Sequence, residues 1–204
     1  TDFGHIGIFP EHHAEDFSEF LEPSTLEQRK TRPRLLNLFA YTGALSIQAA
    51  QAGYEVVHCD ASRASVDWAK VNAQKSGGDE LKIRWIVEDV RKFVARELRR
   101  GSRYDAIVLD PPSFGRGAKA EVWKIEDHLV ELLQDLKKLR SEGFHLLKLS
   151  SHSVGYTPVA LQNLAVSVFG LSTTECKSFE MLVPERSRIR LLPSGACCLY
   201  KKMV

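Results

Sequence analysis

The sequence predicts an α/β fold with a seven-stranded, mostly parallel sheet whose last strand runs antiparallel. Two observations carry this: from Leu35 onward short β-rich runs alternate with helical patterns, and the last two runs follow each other without a helix between them. The first strand spans Leu35 to Phe39, and a small-residue helix from Ala44 to Ala52 ends at Gly53. Glu55 to Cys59 forms the second strand, and Ser62 caps a helix over Arg63 to Lys75 that turns Ala64, Trp68 and Val71 inward. Ile83 to Val87 is the third strand, followed by a short amphipathic helix to Arg100. The fourth, Asp105 to Leu109, runs into Asp110-Pro111-Pro112, where two residues without N–H donors turn the chain out of the sheet. Ser113 to Lys119 reads as a mobile loop, Glu121 to Leu139 as a helix with a leucine stripe, and Phe144 to Leu149 as the fifth strand. Pro158 opens a further helix to about residue 169, and Thr174 to Val183 pairs antiparallel with Ala196 to Lys202. Residues 1–30 have no clear period and read as an arm packing near the ligand edge, leaving 31–204 as one domain.

Composition excludes several classes of function. With 204 residues, 44% hydrophobic and 26% charged, the chain is long enough for one core and is neither a disordered tail nor a disulfide scaffold. No apolar run approaches the roughly 20 residues of a membrane span, so a cytoplasmic protein without membrane contact is expected. Cys59, Cys176, Cys197 and Cys198 have no zinc-ligand spacing, and buried free thiols and no metal are expected. A net charge of +2 decides nothing about nucleic acid. Local clusters speak to it: Arg29, Lys30, Arg32 and Arg34; Arg96, Arg99, Arg100 and Arg103; and the alternating Arg186, Arg188 and Arg190.

In open parallel sheets ligands sit at the carboxyl ends of the strands, so the four strand tips are the places to look for chemistry. Phe39-Ala40-Tyr41-Thr42-Gly43 is the first, where Gly43 permits close backbone approach and the next helix offers free N–H groups. Its single glycine disfavours a pyrophosphate, and with it a nicotinamide-dependent oxidoreductase. Asp60 at the second tip is placed to accept both hydroxyls of a ribose or is a solvated turn residue, and that motif alone leaves both open. Asp89 with Val90 at the third suits an exocyclic amine and a ring face. Asp110, Pro111 and Phe114 at the fourth set a carboxylate, an outward carbonyl and an aromatic face at the mouth of the sheet.

Together, Asn37-Leu-Phe-Ala-Tyr-Thr-Gly43, Asp60-Ala61-Ser62, Asn72, Asp89-Val90 and Asp110-Pro-Pro-Ser-Phe114 resemble the Rossmann-like class I S-adenosylmethionine-dependent methyltransferases. Within these the chain is most similar to the bacterial large-subunit ribosomal RNA methyltransferases, a group with cytosine-C5 and guanine-N7 enzymes. The resemblance implies that Ala40 to Gly43 carry the methionine part of S-adenosyl-L-methionine, Asp60-Ala61-Ser62 its ribose, Asp89 and Val90 its adenine, and Asp110 to Phe114 the target base. Gly7, Phe9, Pro10 and Glu11 resemble a stretch that precedes the catalytic domain in relatives, and it is expected to close over the cofactor. It also implies ribosomal RNA as partner, while the oligomeric state stays open. Cytosine-C5 chemistry needs a thiolate, yet the fourth and fifth tips read Asp-Pro-Pro-Ser-Phe114 and Leu149-Ser-Ser-His152-Ser, without Cys. Base methylation without a cysteine nucleophile is therefore expected, and His152 reads as a polar loop residue first and a proton acceptor second. A small-molecule or protein N-methyltransferase, or a silent cofactor-binding module, are the alternatives.

Overall fold

The computed structural model describes residues 7, 9–14, 21, 31–116, 122–185, 187 and 189–202. The elements in chain order are α1 (Glu11–Ala14), β1 (Arg34–Leu38), α2 (Ala44–Gln51), β2 (Glu55–Asp60), α3 (Arg63–Ser76), β3 (Ile83–Val87), α4 (Val90–Arg99) and β4 (Ala106–Leu109). After them come β5 (Phe114–Arg116), β6 (Val122–Lys124), α5 (Ile125–Lys138), β7 (Leu146–Ser151), α6 (Pro158–Ser167), β8 (Cys176–Pro184) and β9 (Leu191–Lys201). Seven strands form one sheet in the order β3-β2-β1-β4-β7-β9-β8. Strands β1 to β4 and β7 pair in parallel, and the last strand, β9, is antiparallel to both of its neighbours. The order reverses on either side of β1, which opens a crevice at its carboxyl end where ligands bind in such sheets.

Alternation along the strands divides the core into two layers. Leu36, Leu38, Ile107, Leu109, Leu147 and Leu149 face one side, against Phe93, Leu129, Leu133, Leu161 and Phe169. Leu35, Ala106, Val108 and Leu146 face the other, with Leu45, Ala49, Ala50 and Tyr54. Being buried on both faces is why these strands are near-continuous apolar runs.

Several elements differ from the sequence reading. Phe39 lies outside β1 because its φ of +54° takes it out of the extended region. Part of the expected mobile loop is an antiparallel pair, Phe114 to Lys124, Gly115 to Trp123 and Arg116 to Val122, so α5 starts at Ile125 instead of Glu121. Trp123 holds this hairpin down: it is buried and donates Nε1–H to the Pro112 carbonyl at 2.7 Å. Strand β7 begins two residues later than expected and runs on to Ser151, and β9 begins five residues earlier, at Leu191.

The inward face of α3 also differs. Ser65, Val66, Ala69 and Ala73 are buried, whereas Val71 is 51% exposed and Trp68 is half-buried, with Gly7 of the arm against its ring. Small residues face the sheet because α2 lies close alongside: a Cβ on Gly43 would come within 2.9 Å of the Ala69 Cβ. Ser62 caps the helix as predicted, accepting the Ser65 N–H at 3.2 Å. Of the basic residues singled out from the sequence, Arg29, Lys30, Arg186 and Arg188 lie outside the described residues. Val66→Ala is expected to cost about 2 kcal/mol and Val71→Ala less than about 0.5 kcal/mol in urea denaturation. The reverse order would restore the face read from the sequence.

Candidate active site

The four strand tips meet along the crevice at the carboxyl ends of β1 to β4. At the first, Phe39 and Tyr41 both adopt positive φ, +54° and +48°, and Gly43 follows at +89°. Two non-glycine residues in this region within three positions are unusual, and such strain concentrates at ligand sites. The surrounding bonds hold it: the Asp60 carboxylate accepts the Tyr41 N–H at 2.9 Å through Oδ2 and the Ser62 N–H at 2.8 Å through Oδ1. Asn72 Nδ2 donates to the Thr42 carbonyl at 3.0 Å. Burial raises the Asp60 pKa, opposed by these two amide bonds. A carboxylate has about four acceptor positions, so Asp60 keeps roughly two for further donors. Ala61 and Ser62 continue the tip, half-buried, into the cap of α3.

At the third tip, Asp89 caps α4 by accepting the Lys92 N–H at 3.1 Å through Oδ1. The Val90 side chain is buried in the core, so what it offers the crevice is the first amide of α4, which has no acceptor within the helix.

The fourth tip is the most elaborate. Asp110 Oδ1 accepts the Ser150 hydroxyl at 2.8 Å and lies 3.4 Å from His152 Nδ1, while Oδ2 lies 3.2 Å from His12 Nε2. The other nitrogen of His152 is 2.8 Å from Glu11 Oε1. Two residues of the arm are thus clasped to two residues at the ends of β4 and β7. His12, Asp110 and His152 bring metal-ligand types of atom within 4.8 Å of one another, and these hydrogen bonds account for the grouping. Phe9 adds ring contacts, with centroids 5.4 Å from Tyr41 and 5.7 Å from His152, and Pro10 is exposed beside it. Gly7 accepts the Thr42 hydroxyl through its carbonyl. Pro111 is buried, and Phe114 presents a ring that is 51% exposed. Ser113 and Ser153 join the loops after β4 and β7 at 2.8 Å.

Electrostatics follow from this packing. Burial pushes the Asp110 carboxyl up, but the hydrogen bonds and charges of His12 and His152 outweigh it and hold it well below the usual carboxylate range. The hydrogen bond to Asp110 raises His152 to about 9 against the cost of burial, with Glu11 adding to the rise. His152 is therefore a cation at neutral pH, and a proton acceptor is not the role this environment suits. His12 and Ser150 were not singled out from the sequence: His12 lies 98 positions from Asp110, and only the fold brings them together. Glu11 and His152 were noted there separately, with no sign that they pair.

The cysteines are all free and lie on strands. Burial pushes the Cys59, Cys176 and Cys198 thiols up, away from the thiolate form.

The sequence profile of the S-adenosylmethionine-dependent methyltransferases matches residues 22–161. The chain belongs to that family. It is 40% identical over 90 residues to ribosomal RNA large subunit methyltransferase I of Aeromonas salmonicida, covering 44% of this chain and 22% of the relative. To ribosomal RNA large subunit methyltransferase K of Neisseria meningitidis serogroup B it is 35% identical over 117 residues, 56% of this chain and 31% of the relative. The crystal structure of a SAM-dependent methyltransferase from Agrobacterium tumefaciens superposes with a TM-score of 0.85 at 36% identity, over 98% of this chain and 65% of that one. Magnesium protoporphyrin IX methyltransferase from Synechocystis, solved with bound SAH, shares the fold at 16% identity and a TM-score of 0.62, over 94% of this chain and 83% of that one. The chain thus spans about a fifth to a third of these curated relatives.

The methyltransferase cofactor, S-adenosylmethionine, fits the residues present: a strained loop held at fixed φ, a buried carboxylate with acceptor positions to spare, and a free helical amide beside Asp89. Among the described residues no helix is long and apolar enough to cross a membrane.

The pH dependence of the clasp has a definite sign. The raised His152 pKa makes its contribution full below its ordinary value near 6.5 and lost as pH rises through about 9. The depressed Asp110 pKa makes its contribution present above the ordinary carboxylate value and lost as pH falls. An NMR titration should place the His152 ring midpoint near 9, and Asp110→Asn should move it down toward about 6.5. An unchanged midpoint in that variant would disprove the pairing.

Proposed function

We propose that this chain is the catalytic domain of a cytoplasmic methyltransferase that modifies a base of large-subunit ribosomal RNA without a cysteine nucleophile. The observation that carries this reading is the ionised Asp110 at the tip of β4, facing the crevice beside the β1 and β2 loops, with no thiol at the tips of β4 or β7. The RNA assignment rests on the relatives, which are named as methyltransferases of large-subunit ribosomal RNA.

In this reading Phe39 to Gly43 and Asp60-Ala61-Ser62 hold the cofactor. Asp60 keeps acceptor positions for two hydroxyls, and the Asp89 carboxylate with the Val90 amide offers one acceptor and one donor to the edge of a purine. When bound, S-adenosylmethionine supplies an electrophilic methyl group. Phe9, Pro10 and the Gly7 carbonyl, fixed by Thr42, cover the first loop and exclude water from it.

At the acceptor side Phe114 offers a face for the target base, stiffened from behind by Pro111 and Pro112. Asp110, held below the ordinary carboxylate range, accepts a hydrogen bond from a base N–H and sets its angle; so weak a base orients the group without removing its proton. His152 and His12 keep Asp110 in its rotamer. Transfer to a nitrogen or oxygen that is already nucleophilic needs only this positioning.

Asp60→Ala should weaken S-adenosylmethionine and S-adenosylhomocysteine binding by at least tenfold in calorimetry, with NAD showing no binding to either form. Asp110→Ala should bind both normally and lose radiolabelled methyl transfer to deproteinised large-subunit ribosomal RNA by a hundredfold or more. Equal loss of binding in both variants would overturn the division of the site. Label appearing only in protein or small-molecule fractions would overturn the RNA assignment.

A further inference from the structure

The edge of the sheet opposite the crevice collects cations that are far apart in the sequence. Arg34 opens β1, Arg99 and Arg100 end α4, Arg103 precedes β4, Lys137 and Lys138 end α5, Arg140 follows it, and Lys202 follows β9. All reach the same edge because parallel strands begin there, their covering helices end there, and the antiparallel β9 finishes there. Direct contacts tie the groups together. Arg34 donates to the Arg103 carbonyl at 2.9 Å and lies 4.7 Å over the Tyr104 ring, and Tyr104 in turn bridges to Arg140.

Between the ends of α5 and β9 lies an open groove of about 350 Å³, lined by Lys137, Arg140 and Lys202 around Phe144 and Tyr200, with Glu142 its single carboxylate. Among the described residues none of these three cations is in an ion pair. The Arg140 guanidinium instead rests on the rings of Phe144, at 5.7 Å, and Phe169, at 5.2 Å, a packing that fixes its position. The partial negative charge at the end of α5, about half an electron, is exceeded by the lysines of its own last turn. At the crevice the strand tips carry carboxylates instead, Asp60, Asp89 and Asp110. Arg100 and Lys138 are paired with Glu97 and Asp135 on their own helices, at 3.2 and 2.7 Å, which leaves Lys137, Arg140 and Lys202 as the groove's cations without an ion pair among the described residues. Cations spread along one edge suit a chain of phosphates, and the low exposure of Phe144 and Tyr200 leaves no ring face for a base.

We infer that this edge binds the phosphodiester backbone of the ribosomal RNA substrate, gripping it on the side of the sheet away from the methylated base. The inference rests on the RNA reading above and assigns it a second contact surface.

The test compares two triple variants of equal net charge, Arg103→Gln/Lys137→Gln/Lys202→Gln at the edge and Arg63→Gln/Lys70→Gln/Lys75→Gln on α3. All six side chains are exposed, and circular dichroism with cofactor calorimetry checks that both variants fold. Binding of deproteinised large-subunit ribosomal RNA is followed over a salt series. The edge variant should bind at least tenfold more weakly, and its slope of log K against log salt should fall by about 2, as three lost phosphate contacts require. The α3 variant should stay near wild type. Equal weakening in both variants, or none in the edge variant, would overturn the proposal while leaving RNA as the substrate. If the unaltered chain binds the cofactor yet neither binds nor methylates this RNA, the RNA reading itself fails.

Discussion

Strand β1 has no free edge: it hydrogen-bonds to β2 on one side and β4 on the other, with Leu35, Leu36, Asn37 and Leu38 all buried between the two helical layers. Because the strand order departs in opposite directions from it, the helices following β1 and β4 pack on opposite faces and leave the crevice between their starts. Every candidate site residue outside the arm is placed by that arrangement. Phe39 to Gly43 leave β1, Asp60 leaves β2 beside it, and Asp110 leaves β4 on its other side. A slip of one residue in β1 would turn Leu36 and Leu38 to the wrong layer and carry the loop away from Asp60.

The same strand carries a polar residue into the core. Asn37 donates to the Ser46 hydroxyl at 2.9 Å, and Ser46 lies 3.0 Å from His58 Nδ1, so β1, α2 and β2 are joined by three buried side chains. Burial, with the nearby charge of Lys70, lowers the His58 pKa to about 3 and keeps the ring neutral. Its Nε2 has no hydrogen-bond partner among the described residues, and the ring packs edge-on against Trp85 at 4.8 Å. Buried polar groups cost stability unless satisfied, and their gain is a defined geometry. Here the geometry obtained is the start of α2 directly behind the strained loop: His58 Cε1 is 3.7 Å from where a Gly43 Cβ would be.

Part of the charge distribution between the two edges of the sheet has a reason rooted in topology. Helices in such a sheet start at the carboxyl edge and end at the amino edge, so carboxylates that cap or approach helix starts gather at one edge and cations of the last turns at the other. Asp89 at the start of α4 and Lys137 and Lys138 at the end of α5 follow this rule. The clasp of Asp110 with His12 and His152 compensates locally for a carboxylate that heads no helix.

The order of strands and helices, the cap at Ser62, the Pro158 start of α6 and the carboxylates at the strand tips were legible in the sequence, since each depends on neighbours within a few positions: apolar period, turn residues and side-chain caps. Features governed by distant partners were not. The buried face of α3 follows the approach of α2, the β5–β6 hairpin depends on Trp123 finding the Pro112 carbonyl, and His12 gains meaning only beside Asp110. By itself, then, the sequence determined the succession of the main elements and the carboxylates at or next to the ends of β2, β3 and β4, because backbone preference and periodicity are local. Only the tertiary structure decided which of them meet, which imidazole is charged, and which cations share an edge. Those depend on distances between groups about a hundred residues apart, and on burial that exists only once the sheet has closed around β1.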